Sequence, residues 1–403
     1  MPDRRYRLLF ISTHAVQYAS PIFRKMAQHP RLEIQVAYCS LQGAEGGLDV
    51  GFGREVKWDV PLLDGYSWVQ VPNRALRPGL GYFFGLVNTR LWSMIRKGHY
   101  DAILIYTGYR CMSFWIALAA AKFTCTPILF GTDAANLDPR GHGGWKVRVK
   151  RWFWPWFFGM ASQVIVPSTA TREMFRSIGI PSGRISITPY VVDNDWWRDQ
   201  AMRADRGKVR DHWQVPANAT VVLFCAKLQP WKRPLDLLQA FAKVNSPECF
   251  LVYAGDGPLR EELKREAVRL EVVERTRFLG FVNQSQLPSI YRASDLFVLP
   301  SEYEPFGVVV NEAMLCGCAV AVSDRVGAGP DLVRPENGFV FPCGDVDALA
   351  RLLRSAIGNN ELLRQMGEAS QGRMETWSPR ENIQGLIETL DRIVGERKRV
   401  SAD

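Results

Sequence analysis

The sequence lacks long apolar runs and any cysteine pattern typical of a metal site or a disulfide framework. No stretch of its 403 residues approaches the roughly 18 uninterrupted apolar residues that a membrane-spanning helix needs. The eight cysteines include no C-x-x-C pair and have no histidine at ligand spacing. No D-x-D motif stands out at a predicted strand end, where it would hold a divalent ion. We therefore expect reduced thiols, no metal and no other cofactor.

The N-terminal segment is too poor in apolar residues to be a secretory signal. Its apolar run, residues 8–11, is much shorter than a signal core and is better interpreted as a first strand. Together with the reduced thiols, this predicts a cytoplasmic protein.

Charge is unevenly distributed along the chain. Residues 1–195 carry 23 Lys and Arg against 13 Asp and Glu, a formal charge of +10, whereas the remainder stands at −1. A basic first half predicts contact with something anionic, which from charge alone is a membrane surface, a phosphorylated acceptor or nucleic acid.

The order of predicted elements is that of two α/β domains. Short apolar strands alternate with helices over residues 7–178, and a second alternating series begins at 220. This alternation indicates two doubly wound, Rossmann-like domains with a cleft between their sheet edges. The predicted boundaries are an N-terminal domain over 1–195, a polar linker over 196–217, a second domain over 218–380 and a C-terminal helix over 381–403 that packs back on the first domain.

The most informative stretch is 301–312. A buried strand leads into a turn that contains Gly307, and a helix-like run begins at Val308. A helix that starts at the carboxyl edge of a sheet favours an anion, because its first N–H groups and its dipole point there. Glu304 lies in the turn and Glu312 lies in the helix, eight positions further on. Two carboxylates beside an anion site would be repulsive unless each has other work, such as binding hydroxyl groups.

Several blocks of the second half occur together with this stretch. They are Lys227-Leu-Gln-Pro-Trp-Lys232, Tyr253-Ala-Gly-Asp-Gly-Pro258, Gly280-Phe-Val282, Gly327-Ala-Gly-Pro-Asp-Leu-Val333 and Asn337-Gly-Phe-Val-Phe-Pro342, with Ile187-Thr-Pro-Tyr-Val-Val-Asp193 before them. In this order, and with the E-x7-E pattern of Glu304 and Glu312, they resemble the GT-B fold glycosyltransferases of family 4, the retaining group 1 enzymes. The resemblance covers about residues 162–390 well and the preceding residues weakly.

The resemblance implies sugar transfer with retention of configuration, from a nucleotide-diphosphate-sugar donor to a hydroxyl acceptor in polysaccharide, glycolipid or lipid-linked glycan synthesis. Departure of the diphosphate builds negative charge, which cations and N–H groups must stabilise if no metal takes part. The candidate groups are Lys227, Lys232 and the backbone around Phe306, Gly307 and Val308. Lys227 departs from the family's usual arginine and lacks its bidentate fork.

The same resemblance gives the other donor-side residues their expected partners. Glu312 would bind the ribose hydroxyls, and Glu304 would hold the sugar and stabilise cationic character at its anomeric carbon. Gly280 and Phe281 stand where the family holds the base. The simpler alternatives are solvated loop charges for the carboxylates and lysines, and a strand end for Gly280.

The first half is further from the family pattern. Its first loop, Ser12 to Tyr18, has His14 where many members have a glycine pair, and Asp133 replaces a histidine that contacts the sugar. Both residues follow predicted strands, so both are acceptor-side candidates, and Asp133 is also a catalytic candidate beside Glu304 and Lys232. Each has a purely structural alternative, a buried and hydrogen-bonded group.

The segment from Lys146 to Phe158 joins four cations to six aromatic residues. This composition is typical of a helix at a membrane interface, and it predicts peripheral contact with the anionic inner face of a membrane. The alternative is a core helix that packs on the sheet.

Two other classes of function remain open from the sequence. Another GT-B enzyme, such as a nucleotide-sugar epimerase, would not need the E-x7-E arrangement. A non-catalytic basic protein that binds nucleic acid would expose aromatic residues on a basic sheet. The aromatic residues here cluster in helix-like runs, so we expect no nucleic-acid partner.

Overall fold

A computed structural model of the chain describes residues 4–49, 51–138 and 143–400. The chain divides into two compact units. The first comprises Met1–Gly47, Pro61–Tyr190 and Pro379–Asp403, and the second comprises Leu48–Val60 and Val191–Ser378.

The first unit is built on a parallel sheet of short, apolar strands. The strands of this half of the chain are β1 Tyr6–Ser12, β2 Leu32–Tyr38, β3 Gly47–Asp49, β4 Arg54–Val56, β5 Trp68–Gln70, β6 Ala102–Ile105, β7 Ile128–Gly131, β8 Gln163–Val166 and β9 Ile185–Ile187. Within the described residues, seven of them pair in the order β5-β2-β1-β6-β7-β8-β9. The helices are α1 Ser20–Gln28, α2 Arg90–Gly98, α3 Met112–Phe123, α4 Gly144–Gly159 and α5 Thr169–Ser177.

The second unit repeats this architecture. Its strands are β10 Thr220–Cys225, β11 Cys249–Ala254, β12 Thr276–Gly280, β13 Leu296–Leu299, β14 Ala319–Ser323 and β15 Gly338–Phe341. They pair in parallel in the order β12-β11-β10-β13-β14-β15. The helices are α6 Asn194–Arg203, α7 Arg206–His212, α8 Pro234–Val244, α9 Arg260–Arg269, α10 Leu287–Arg292, α11 Val308–Leu315, α12 Gly329–Leu332, α13 Val346–Ala356 and α14 Asn360–Arg373. The predicted fold class, two parallel-sheet α/β domains, is confirmed.

The last helix, α15 Pro379–Val400, belongs to the first unit. It packs beside β9, where Gly385 approaches the backbone so closely that a Cβ would lie 2.5 Å from the carbonyl oxygen of Ile187. Asp391 anchors the middle of the helix, because Arg31 donates to both carboxylate oxygens at 2.6 and 3.1 Å.

The segment 196–217, predicted as a linker, is folded into the second unit. It forms most of α6 and all of α7, and Trp197 is buried. Arg210 is also buried and pairs with Asp295 at 2.7 Å. The sequence did not predict these helices because few of their buried residues are apolar: α6 buries Asn194, Trp197 and Ala201, and α7 buries Arg210.

A second difference concerns Leu48–Val60, which the sequence placed in the first domain. This stretch, called the inserted segment below, clusters with the second unit. Its short strands β3 and β4 pair with each other and join neither large sheet. The sequence showed only a glycine-rich excursion here, and the partners of the segment lie far away along the chain.

Candidate functional site

The loops that follow the strands of the second unit meet at the carboxyl edge of its sheet. The backbone of Gly255 passes so close to Ala226 that a Cβ would lie 2.0 Å from the carbonyl oxygen. The N–H of Gly255 also donates to the carbonyl of Gly280 at 2.8 Å, and that of Glu302 donates to Trp231 at the same distance. Parallel strands bring these loops to one edge, and most of the blocks that carry the family resemblance lie in them.

The turn that precedes α11 depends on Gly307. Its φ of +98° is in the left-handed region, where a side chain is strained. A Cβ there would also lie 3.1 Å from Cγ of Glu304 and 3.3 Å from side-chain atoms of Leu299 and Val326. Glycine therefore allows the turn to close around the Glu304 side chain.

A neighbouring loop fixes the backbone on both sides of this turn. The carbonyl of Glu304 accepts from Gly327 at 3.0 Å, and that of Phe306 accepts from Ala328 at 2.8 Å. The Phe306 ring is buried and stacks on Trp377. The Phe306 side chain is therefore part of the interior of the unit, Gly307 is also buried, and Val308 begins the helix.

Glu304 and Lys232 form an ion pair. The ammonium of Lys232 donates to Oε2 of Glu304, and the two side chains are only 16% and 12% exposed. Lys232 ends the short 3₁₀ turn Pro230–Lys232 in the loop after β10. In such a partly dry environment the attraction between the charges is stronger than at the surface.

Lys227 has a different carboxylate. Its ammonium lies 2.7 and 2.8 Å from the two carboxylate oxygens of Asp49, in the inserted segment. Burial opposes ionisation of Asp49, but the hydrogen bonds and charge of Lys227 outweigh it and lower the pKa of that carboxyl. Lys227 and Lys232 thus come from one loop, and each holds a separate carboxylate.

Glu312 is enclosed within the unit. It is 6% exposed, and Oε2 accepts from the hydroxyl of Tyr291 at 3.0 Å. Burial raises the pKa of Glu312 to about 8, although the Tyr291 hydrogen bond lowers it. The carboxyl is therefore largely protonated at neutral pH. The sequence pattern did not reveal Tyr291, because this contact joins two helices.

The inserted segment contacts Phe281, one of the two candidate base-binding residues. Gly280 is buried and has a φ of +71°. The Phe281 ring meets the edge of Phe52 at 4.9 Å between centroids, and the Arg54 guanidinium lies 5.1 Å from its centre. The local sequence gave no indication that Phe52 or Arg54 contacts this site.

The two candidates of the first unit lie at the carboxyl ends of their strands, as predicted. His14 follows β1, and its Nδ1 lies 2.9 Å from the hydroxyl of Thr13. Asp133 follows β7 and is exposed. Partial burial and then the negative charge of Asp133 raise the pKa of the nearby Tyr18 to about 12.

Helix α4 has one buried and one exposed aromatic face. Trp154, Phe157 and Phe158 pack into the core of the first unit. The opposite face presents Trp145, Val149, Trp152 and Trp156, which are 51–82% exposed. Lys146, Arg148 and Arg151 are exposed beside it. The core interpretation therefore holds for one face of this helix, and contact of the other face with a membrane remains a prediction.

The described residues contain no group of three or more His, Cys, Asp or Glu side chains placed to hold a metal ion. In the same part of the chain, every helix is too short or too polar to cross a bilayer.

Comparisons with known proteins agree with the fold. The structure of Anabaena Alr3699/HepE in complex with UDP and glucose superposes with a TM-score of 0.72 at 21% identity, covering 96% of this chain and all of that one. Together with the two parallel sheets, this likeness defines the GT-B glycosyltransferase fold.

Family models then match both units. The glycosyl transferase 4-like domain covers residues 17–191 and glycosyl transferases group 1 covers 205–373. The chain belongs to the group 1 glycosyltransferases.

Curated relatives match over shorter stretches. Sulfoquinovosyl transferase SQD2 of Arabidopsis thaliana is 27% identical over 269 residues, which are 65% of this chain and 51% of that protein. D-inositol 3-phosphate glycosyltransferase 2 of Catenulispora acidiphila is 38% identical over 166 residues, or 38% of each chain. The chain spans about half the length, or less, of these relatives.

Proposed function

We propose that the protein is a retaining glycosyltransferase that moves a sugar from a nucleotide-diphosphate-sugar to a hydroxyl acceptor without a metal. The observation that carries the proposal is the contact between Lys232 and Glu304 at the turn before α11. It places a cation and a carboxylate together at a helix start, where the leaving diphosphate and the reacting sugar would meet.

The two carboxylates of the E-x7-E pattern have separate environments, which supports separate roles. Glu312 is enclosed and neutral at pH 7, so it is suited to a network of hydroxyl groups such as a ribose. Glu304 is instead paired with the ammonium of Lys232. An ionised carboxylate beside the anomeric carbon would stabilise positive charge there as the bond to phosphate breaks.

Lys232 would interact with the groups on both sides of the sugar–phosphate bond of the donor. Before the donor binds, it neutralises Glu304. As the sugar–phosphate bond breaks, negative charge grows on the diphosphate, and the same ammonium would be attracted to it. The N–H groups at the start of α11 would add further stabilisation, because the first four of a helix have no partner within it.

Metal independence is part of the proposal because these groups already supply countercharge. Lys227, Lys232 and the start of α11 would supply this countercharge once the diphosphate displaces the carboxylates that the lysines hold. A divalent ion would serve the same purpose. Activity in the presence of a chelator such as EDTA would support this element, and restoration of lost activity by a divalent ion would contradict it.

The exposed face of α4 supports a membrane-linked acceptor. Tryptophan side chains at the interface combine an apolar ring with a polar N–H, and basic residues beside them attract anionic headgroups. We propose that this face docks the protein on an anionic bilayer, from which a glycolipid or lipid-linked acceptor would be drawn.

Thermal denaturation with a panel of nucleoside diphosphates and their sugars tests the donor proposal. A ligand at 100 times its Kd stabilises the folded state by about 2.7 kcal/mol. We expect one nucleotide family to raise Tm, with the sugar-bearing form as effective as the diphosphate. Absence of any shift across the panel would contradict a nucleotide-sugar function.

A further inference from the structure

The inserted segment brings an acidic side chain to a candidate phosphate-binding cation. Asp49 contacts Lys227 through both carboxylate oxygens, and its Oδ1 also accepts from the N–H groups of Gly51 and Phe52 at 2.8 and 3.1 Å. The tight turn that these bonds form holds the carboxylate in place over Lys227.

The backbone of this turn also lies against the lysine. A Cβ on Gly51 would come within 2.6 Å of Nζ of Lys227 and 3.0 Å of Nε2 of Gln229. Phe52 packs close as well, because Nζ lies 4.6 Å from the centre of its ring. The ammonium is thus covered by a carboxylate, a backbone turn and an aromatic ring, all from one segment.

Other anchors of the segment use neither Lys227 nor Lys232. The side chain of Asn283 donates to the carbonyl of Lys57 at 2.9 Å, and the N–H of Ser285 donates to Asp59 at 3.0 Å. These contacts hold the segment without occupying a candidate donor cation. The Asp49–Lys227 pair can therefore be broken without releasing the other anchors.

We propose that Asp49 is an internal anion that occupies Lys227 until the donor diphosphate displaces it, and that it thereby sets donor affinity and selectivity for diphosphates. The inference rests on the proposed function, since it takes Lys227 as a phosphate-binding group. A ligand that binds Lys227 must displace the Asp49 carboxylate. A diphosphate can do so because it is also an anion. A nucleoside has no such charge and leaves the pair intact.

The variant Asp49→Asn tests this directly. Asparagine keeps an oxygen that can accept hydrogen bonds from Gly51 and Phe52, but it lacks the negative charge that pairs with Lys227. We expect the Kd of the preferred nucleoside diphosphate to fall about fivefold, because a partly exposed ion pair contributes a free energy of about this size. The Kd of the matching nucleoside should stay the same. The control Asp59→Asn removes the same charge from the same segment and should change neither value.

The same substitution in a Lys227→Met protein distinguishes an effect of charge on diphosphate binding from an effect on folding. With Lys227→Met, the added Asp49→Asn substitution should leave diphosphate affinity unchanged, because the competition has no cation left. Unchanged or weaker diphosphate binding in Asp49→Asn alone would overturn the inference, as would tighter nucleoside binding. Wild-type protein that binds no nucleotide would instead contradict the proposed function.

Discussion

The ammonium of Lys232 donates to Oε2 of Glu304, across 72 positions of the chain, and both side chains are mostly buried. Each residue had been expected to face a different part of the donor. Their contact couples the two roles, because a change in the charge of one side chain changes the electrostatic environment of the other.

Substitution Lys232→Met should lower the free energy of unfolding by about 2 kcal/mol, since it leaves the Glu304 carboxylate mostly buried without its cation. Adding Glu304→Gln should recover most of that loss, because no charge is then left unpaired. Urea denaturation of the two single variants and the double variant measures the coupling. As a control, Lys243→Met removes an exposed pair with Asp347 in the same unit and should have little effect. A double variant no more stable than Lys232→Met would refute the coupling.

Glu312 should make stability depend on pH. Its pKa is about 8 in the folded state and near 4.5 when exposed, so between these values the folded protein holds a proton that the unfolded chain has lost. Raising the pH from 5 to 8 therefore destabilises the wild type relative to Glu312→Gln, by an amount of the order of 3 kcal/mol. The two proteins should differ least near pH 4. A constant difference in Tm from pH 4 to pH 9 would show that the carboxyl does not titrate in this way.

The exposed face of α4 should bind anionic vesicles. Wild-type protein should sediment with vesicles that contain an acidic phospholipid and much less with purely zwitterionic ones. The double substitution Trp152→Ser and Trp156→Ser should weaken binding at least about tenfold, because two exposed indoles no longer enter the interface. Phe123→Ser, which removes another exposed aromatic residue of the same unit, is the matched control. Wild-type protein that stays in the supernatant with both vesicles would count against membrane docking.

Local patterns predicted the elements that carry the site. The apolar strand, the glycine turn and the helix after it are encoded within 295–316 and form as β13, the turn at Gly307 and α11. Helix α5 likewise begins after Ser168, a residue type typical of an N-cap, whose hydroxyl accepts from the N–H of Thr171 at 3.2 Å. Such features depend on neighbours in the chain, so the sequence contains most of the information.

The same local patterns could not predict the tertiary contacts. Asp49 lies 178 positions before Lys227, and no periodicity relates them. The acidic residues of the inserted segment look like ordinary loop charges until the fold brings one to a candidate donor cation. For the same reason α6 and α7 escaped notice, because Trp197 and Arg210 find their partners only in the folded unit.

The most direct test of the account is Glu304→Gln, assayed for binding and turnover in one preparation. With the donor that stabilises the wild type, the rate of nucleoside diphosphate release should fall at least about a hundredfold, because the charge beside the sugar is lost. The diphosphate itself should bind at least as tightly as to the wild type, because Lys232 is no longer paired with a carboxylate, whereas Glu312→Ala should weaken its binding. A Glu304→Gln variant that turns over donor at the wild-type rate would contradict the central role given to this carboxylate.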